Sequence, residues 1–460
     1  MDAHEPLMTS SMFLEGYCEV SLTLDSTGLS WAPVVSHVKK LETCYGIKSS
    51  SKSESRIGFS DVYAVECVDR GSFHVLISKI GAPRPCCMTE MHRFVVHGFE
   101  RSRTCRCTWV LSSYTFGNKD PQACRTWIEE INSRISMEMS RPKIFGYVFV
   151  HPSSGRGNGW RTWQTVEPVF SRAKVKTKVT VTERAGHAFD LIVSVADKEL
   201  SAFDGVVAVG GDGFFNEILN GLLFSRHKAP PLSPYGCSTY GRLSVKRQDL
   251  SSFFPNDWFR LGIIPSGSTD AIVVSTTGSR DPITSALHIV FGKRVRLDIA
   301  QVVRQDAGSS SFTRYAASFA GEKYRWMGPK RYDYAGARVF LKHSKWRFSF
   351  EVVQIRGRYL SVGGPDGLVA DAHLADGFLH LILIKDCPRP RYLWHLTRLA
   401  RKGADPLGFE FVEHHKTRAF TFTSSGEESV WNLDGELFPA RRLSAQVFRG
   451  LVSLFAAGPE

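Results

Sequence analysis

Asp204-Gly-Val-Val-Ala-Val-Gly-Gly-Asp-Gly-Phe-Phe-Asn-Glu-Ile-Leu-Asn220 is the stretch on which the fold turns. The apolar run Val206–Val209 reads as a buried strand and Phe214–Leu223 as an amphipathic helix. Between them, Gly210-Gly211-Asp212-Gly213 lets the backbone turn sharply and approach a ligand closely, because no Cβ blocks either. The N–H groups that open the following helix favour an anion such as phosphate. Asp212 stands at the C-terminal end of the strand, where open parallel sheets hold their ligands. A carboxylate beside bound phosphate is either a general base or a magnesium contact. The plain alternative is a glycine-rich turn with an exposed Asp.

Three further junctions repeat the pattern. Phe145-Gly-Tyr-Val-Phe-Val150 runs into His151-Pro-Ser-Ser-Gly-Arg-Gly-Asn-Gly159, which offers Ser153, Ser154 and backbone N–H groups to phosphate oxygens. Leu261-Gly-Ile-Ile264 leads into Pro265-Ser-Gly-Ser-Thr-Asp270. The β-branched run Thr177–Thr182 ends at Glu183-Arg-Ala-Gly186. Strand-to-polar-loop junctions at α/β spacing place these loops along one edge of a parallel sheet.

A chain of 460 residues suggests two or three domains. Its 43% hydrophobic and 12% aromatic content is that of a globular protein with an ample core. A balance of 58 basic to 45 acidic residues, net +13, suits an anionic partner. The basic residues are scattered and no recognition element is apparent, so nucleic acid is not the expected one. No apolar run reaches the ~18 residues of a spanning helix, and Met1-Asp-Ala-His-Glu-Pro6 does not open a secretory signal. Eight of the ten cysteines fall in the first third of the chain and fit no zinc spacing, so reduced thiols are expected.

Residues 12–136 form a separate unit of short β-rich runs: Cys18–Thr23, Val62–Val68, Phe73–Ser78, His92–His97 and Thr108–Phe116. It closes with a helix over Pro121–Ile135, on which Cys124, Trp127, Ile128, Ile131 and Ile135 share a face. Asp120 and Pro121 supply the cap and first turn. The pattern fits a small barrel plugged by a helix. Strands and helices alternate over 142–292, with helices over 161–173, 186–198, 213–224 and 281–291 and an insertion at Ala229–Pro255. Over 293–460 the texture turns to period-two strands at Arg296–Val303, Arg347–Ile355, Phe378–Ile384 and Ala419–Thr423, which predict an antiparallel sandwich. Arg391–Lys402 is a basic amphipathic helix. Packing on the sandwich is the reading it favours, against calmodulin or a membrane surface.

Gly210-Gly211-Asp212-Gly213 with Asn216-Glu217, Pro265-Ser-Gly-Ser-Thr-Asp270 and Trp431-Asn-Leu-Asp-Gly-Glu436 resemble the diacylglycerol kinase-like catalytic domain of lipid kinases. Ser268-Thr269-Asp270 in place of Gly-Asn is similar to the ceramide kinase version, in particular the plant type. The runs Lys323–Tyr334, Asp371–Gly377 and Phe411–His415 look equally characteristic. The resemblance covers nearly the whole chain. It implies a pleckstrin-homology-like domain at 12–136, an α/β nucleotide-binding lobe at 142–292 and a β-sandwich lobe at 293–460. It also implies ATP and Mg²⁺ as cofactors, leaving Ca²⁺ stimulation open, and ceramide as the substrate. The location it implies is cytoplasmic and peripheral on intracellular membranes. Lys39, Lys40, Lys48, Lys52 and Arg56 are the expected contacts to phosphoinositide or an acidic membrane surface.

On this resemblance His151, Pro152, Ser153, Ser154, Gly155, Gly210, Gly211 and Gly213 cradle the ATP phosphates. Thr182, Glu183, Arg184, Ala185, Gly186, Glu217, Ser268, Thr269 and Asp270 fall on the nucleotide side. Arg325 and Arg331 meet phosphates, a job that suits bidentate guanidinium geometry. Asp434-Gly435-Glu436 folds back to the nucleotide, with Asp434 helping to hold Mg²⁺ through water. Asp212 is the candidate base for the primary hydroxyl of ceramide.

The chain departs from the family pattern in three places. Gly321 runs directly into Glu322-Lys-Tyr-Arg325, where a glycine- and aromatic-rich stretch with an acidic residue is normal. Lys345–Gly363 lacks the cysteine cluster, and the Ala229–Pro255 insertion is short. Two alternatives therefore stand beside a ceramide kinase: a sphingosine or diacylglycerol kinase, and a catalytically impaired lipid-binding form of the family.

Overall fold

The computed structural model describes residues 6–16, 19–34, 55–75, 87–138, 145–226, 259–268, 270–304, 312–317, 319–321, 348–353, 373–385, 387–399, 405, 407–423, 429–433 and 436–458. Two compact units separate by contact: Met1–Arg141 with Val169–Lys174, and Pro142–Pro168 with Val175–Glu460.

In the first unit seven antiparallel strands make one sheet: β1 (Met8–Leu14), β2 (Glu19–Leu24), β3 (Gly28–Pro33), β4 (Ser55–Gly58), β5 (Val62–Val75), β6 (Cys87–Arg101) and β7 (Trp109–Asn118). Their order is β4-β3-β2-β1-β7-β6-β5. Helix α1 (Pro121–Glu138) buries Cys124, Trp127, Ile131 and Ile135 against Phe94 and Phe116. Its first turn is capped as expected, with the Gln122 N–H donating to Asp120 Oδ1 at 2.9 Å. The runs Val62–Val68 and Phe73–Ser78 are not separate strands. Val62–Val68 and the described part of the second run, Phe73–Val75, join in β5, because irregular pairing between Val68 and Gly71 absorbs the Asp69-Arg70-Gly71 interruption as a bulge, and Leu76–Ser78 lie outside the described residues. Of the expected membrane contacts, Lys39, Lys40, Lys48 and Lys52 lie outside the described residues. Arg56 is already partnered: it forms an ion pair with the nearly buried Asp25, Nη1 to Oδ2 at 2.7 Å.

The second unit is built on four parallel strands, β8 (Phe145–Val150), β9 (Lys176–Val181), β10 (Gly205–Gly210) and β11 (Arg260–Pro265). Every residue of β10 and β11 is buried, as expected of strands covered on both faces. Helices α2 (Ser154–Gly157), α3 (Gly159–Arg172), α4 (His187–Ser194), α5 (Asp197–Leu200), α6 (Asp212–Arg226), α7 (Ala271–Thr277) and α8 (Pro282–Val290) alternate with them. The single helix expected over 186–198 is two, because the backbone turns extended at Val195 and Ala196. In space the parallel strands run β11-β10-β8-β9. The chain steps from β8 out to β9 and then crosses to β10 on the other side. That reversal opens a crevice between the C-terminal ends of β8 and β10, the usual ligand position in such sheets.

The remaining strands are β12 (Val295–Arg304), β13 (Phe312–Ala316), β14 (Phe319–Gly321), β15 (Phe348–Val353), β16 (Leu379–Lys385), β17 (Val412–Thr417), β18 (Ala419–Thr423), β19 (Ser429–Leu433), β20 (Glu436–Ala440) and β21 (Arg442–Leu454). β21 pairs antiparallel with β12 and β18, and its last residue, Leu454, pairs parallel with Leu261 of β11. One mixed sheet, β13-β12-β21-β11-β10-β8-β9, thus runs on from the α/β lobe into the C-terminal strands. Two three-stranded antiparallel sheets, β14-β19-β20 and β15-β16-β17, complete the unit. Helix α9 (Arg389–Leu399) packs on the second through Tyr392, beside Ile382, Phe411 and Val412, and His395 is buried.

A buried carboxylate fastens this continuation. β12 bulges between Leu297 and Ile299, and the Asp298 carboxylate accepts N–H groups from Gly377 and Gly450, each at 2.6 Å. Both glycines have positive φ, +80° and +56°, which aims their N–H groups inward. Burial pushes the Asp298 carboxyl up to about 6, against the two N–H groups that pull it down.

Candidate active site

Three of the four junction loops close on one another. Ser266 N–H donates to the Gly210 carbonyl at 3.1 Å and His151 N–H to the Val209 carbonyl at 3.0 Å, so strand pairing continues into the loops. A Cβ on Gly155 (φ +57°) would strike the Ser266 carbonyl oxygen. One on Gly267 would lie 2.6 Å from the Gly211 Cα. The glycines therefore permit backbone-to-backbone contact between loops that belong to different strands. An open cleft of about 380 Å³ results, lined by Gly155, Asn158 and Thr162 on one side and by Pro265, Ser266, Gly267, Asp270 and Arg280 on the other. A wall of small residues, hydroxyls and an amide is the kind of cradle that a polyphosphate needs.

His151 and Ser154 shape the first loop. The ring Nδ1 and Ser154 Oγ are 2.9 Å apart, and the ring packs 5.1 Å from that of Phe214. Pro152 and Ser153 turn the chain into α2, with Ser153 as its cap residue. Gly210 ends β10, where a Cβ would meet the Phe214 side chain at 2.6 Å, and Gly213 lies in the first turn of α6. In the third loop Asp270 is 1% exposed and takes the left-handed conformation (φ 52°). Its Oδ1 accepts the Gly267 N–H at 2.8 Å and its Oδ2 receives Arg280 Nε at 2.8 Å. Ser268 stands at the open end of this loop, and Thr269 lies outside the described residues.

Asp212 opens α6, and both its oxygens accept backbone N–H groups at 2.9 Å, Oδ2 from Ala271 and Oδ1 from Ile272. Each carboxylate oxygen carries a second lone pair, so these bonds leave capacity to accept a hydroxyl proton. Burial pushes the Asp212 carboxyl above the ordinary range, and the two N–H groups oppose that shift. A raised pKa makes a stronger base.

Glu217, expected on the nucleotide side, is engaged elsewhere. Its Oε1 accepts the N–H groups of Ala188 at 2.9 Å and Phe189 at 3.3 Å, satisfying the first turn of α4. Thr182 is held to the end of β8, its N–H and hydroxyl donating to the Val150 carbonyl at 2.9 and 3.3 Å, and Glu183–Gly186 serve the same helix as Glu217. Gly186 (φ 78°) caps α4, Glu183 N–H donates to His187 Nδ1 at 3.1 Å, and Arg184 pairs with Asp190. Ala185 sits among them. None of these residues lines the cleft.

Two asparagines reach the other way. Asn216 and Asn220 are buried, and their Nδ2 groups donate to the Tyr315 carbonyl at 2.8 and 2.9 Å, while Tyr315 N–H donates to Asn220 Oδ1 at 2.8 Å. The helix that starts at Asp212 is thereby tied to β13. Beyond β13, β14 pairs with β19, Gly321 opposite Trp431. Trp431 is buried beside Phe422, and Leu433 pairs with Glu436 across β19 and β20. Asp434 and Gly435 lie between that pair and outside the described residues, as do Arg325 and Arg331. Sequence reasoning missed Arg280 and Thr162 as lining residues. An Asn-x-x-x-Asn spacing on an otherwise apolar helix was the available signal for the tie to β13.

Residues 146–302 match the diacylglycerol kinase catalytic domain, and residues 8–131 match the ceramide kinase PH domain. The fold is that of a lipid kinase of the diacylglycerol kinase type. The chain is 44% identical to a ceramide kinase of Arabidopsis thaliana, with 98% of this chain and 96% of that protein covered. It is 43% identical to one of Oryza sativa subsp. japonica, covering 98% and 99%. A putative diacylglycerol kinase from Bacillus anthracis str. Sterne superposes with a TM-score of 0.48 at 15% identity, over 68% of this chain and 97% of that one. The chain belongs to the ceramide kinase family. Its alignment with the Arabidopsis protein spans 587 positions, more than the 460 residues present, so that relative carries segments without a counterpart here.

Proposed function

We propose that this protein transfers the γ-phosphate of ATP to the primary hydroxyl of ceramide, giving ceramide 1-phosphate. The observation that carries the reading is the close backbone approach of Gly155 to Ser266 and of Gly211 to Gly267, next in the chain to Asp212, whose carboxylate is held by the Ala271 and Ile272 N–H groups. Phosphoryl transfer requires positioned phosphates, charge neutralisation and a base aimed at the acceptor. In this reading the His151–Gly155 and Gly210–Gly211 loops and Ser266–Gly267 receive the phosphates. Asp212 accepts the hydroxyl proton as the acceptor oxygen bonds to the γ-phosphorus, while the bond from that phosphorus to the β,γ-bridging oxygen breaks and ADP leaves with its electron pair. Glu217 and Glu183–Gly186 act at one remove, holding α4 and so the flank of α6.

Among the described residues no cluster of three or more acidic, His or Cys side chains could hold a metal. In this reading Mg²⁺ is carried largely by phosphate oxygens and water, with Asp434 as an outer contact. When bound, the ion neutralises phosphate charge. Arg325, Arg331 and Glu436 complete the nucleotide side in this proposal, and Ca²⁺ dependence belongs to the same assay. The first unit docks on an acidic lipid surface, with phosphoinositide the headgroup its basic loop suits. Among the described residues no helix is long and apolar enough to cross a membrane, and the expected site of action is a cytoplasmic membrane face. Calmodulin has no part in the reading, since α9 lays Tyr392 and His395 on its own lobe.

Transfer of labelled phosphate from ATP to ceramide, sphingosine and diacylglycerol, presented separately, tests the proposal. Ceramide is expected to be the preferred acceptor, and equal labelling of all three would refute the substrate assignment. The segments absent relative to the plant kinase favour one other reading, a lipid-binding form with impaired transfer. It predicts nucleotide binding without turnover. Binding to anionic liposomes is expected to weaken as salt rises from about 0.1 to 1 M, as the screening length shrinks. Salt-independent binding would exclude a charge-driven surface.

A further inference from the structure

Arg280 follows the third loop by ten residues, past the whole of α7, and no part of the family resemblance points to it. The fold brings its side chain back onto the cleft wall, beside Gly267 and opposite Gly155 and Asn158. The guanidinium makes two contacts there. Nε donates to Asp270 Oδ2 at 2.8 Å, and Nη2 donates to the Gly267 carbonyl. Asp270 is buried, so the ion pair fixes the Arg280 stem against a rigid point. The side chain is still 49% exposed, and among the described residues Nη1 has no hydrogen-bond partner. Among the described residues lining the cleft, Arg280 is the one cation and Asp270 the one anion. The pair also reaches the Asp212 carboxyl electrically: beyond the dominant upward push of burial, Asp270 raises its pKa and Arg280 lowers it.

We infer that Arg280 is a phosphate-binding residue of the nucleotide cleft. Two of its nitrogens brace the third loop, and the outer edge of the guanidinium is presented to the phosphate chain of ATP. The planar fork allows both tasks at once, which a lysine ammonium does not. The inference rests on the kinase reading above, and it adds a positive charge to a described cleft wall otherwise supplied by backbone, hydroxyls, an amide and the Asp270 carboxylate.

The test is direct binding of adenosine, ADP and ATP to the full chain and to Arg280→Ala, Arg280→Lys and Arg280→Gln, with melting temperature as a control on folding. Arg280→Ala is expected to weaken ADP and ATP roughly ten- to a hundredfold, the worth of hydrogen bonds to a charged group, and to leave adenosine unchanged. Arg280→Lys is expected to recover part of the loss, and Arg280→Gln none. If all three ligands weaken equally, Arg280 only braces the loop and the inference is overturned. Unchanged ATP affinity in all three variants overturns it as well. If Arg280→Ala melts early, the Lys and Gln variants carry the comparison. Failure of the parent chain itself to bind ATP would instead refute the kinase reading, and the two failures are distinguishable.

Discussion

Asp212→Asn is expected to reduce kcat for transfer to ceramide by roughly 10²- to 10⁴-fold, the usual contribution of a positioned general base. The amide cannot take the hydroxyl proton. It also keeps only one acceptor oxygen for the two N–H groups of Ala271 and Ile272. One of them loses its partner, so a stability loss of about 1 kcal/mol accompanies the kinetic effect. ATP affinity is expected to hold within a few-fold. The pH profile supplies an independent check. Asp212 must be ionised to act and its pKa is raised by burial, so kcat should fall with decreasing pH through a limb lying above the ordinary carboxylate range. That limb should be missing from the residual activity of the variant. An Asn variant with the parent's kcat, or a parent whose activity is flat through the acid range, would remove Asp212 from the chemistry.

Gly267→Ala is expected to be the most damaging change to the cleft that leaves every polar side chain in place. The new methyl would sit 2.6 Å from the Gly211 Cα and 2.6 Å from Asp270 Oδ1, neither of which is the end of a flexible side chain. The second and third loops must separate, and the Gly267 N–H bond to Asp270 opens with them. Overpacking of this kind costs about 1–3 kcal/mol, and the same displacement should weaken ATP by at least about tenfold, since 1.4 kcal/mol is a factor of ten. Calorimetric titration with ATP beside a melting curve reads both. A variant that binds ATP as the parent does would mean that the loops are not held together for the nucleotide. Gly157, which meets nothing within 4 Å, is the contrasting site, limited only by its φ of +87°.

The parallel core was legible because β8, β10 and β11 are largely apolar runs and β9 a β-branched one, each leading into a short polar, glycine-bearing loop, and both halves of that signal are local. Asp120 as a cap was legible for the same reason. Glu217 was not. An acidic residue after a glycine turn looks the same whether it faces a ligand or the start of another helix, and its partners here, Ala188 and Phe189, come from an earlier element. Arg280 stayed hidden because α7 separates it from the loop that it braces. The two runs read as separate strands before and after Asp69-Arg70-Gly71 are one, since a bulge accommodates residues that elsewhere end a strand. Pairing was the least legible property of all. Alternation in Arg442–Leu454 marks a strand, but nothing in it says that Leu454 will lie beside Leu261.

That last pairing has a consequence for biosynthesis. The residues that flank the start of β11 are translated long after it, so a nascent chain that has already produced every glycine loop still lacks the partner of Leu261. Until the ribosome releases residues 442–454, β11 presents a bare edge, the kind of surface that recruits stray strands and invites aggregation. Chaperone protection during synthesis, and intolerance of truncation before Leu454, follow from where the topology put its closing piece.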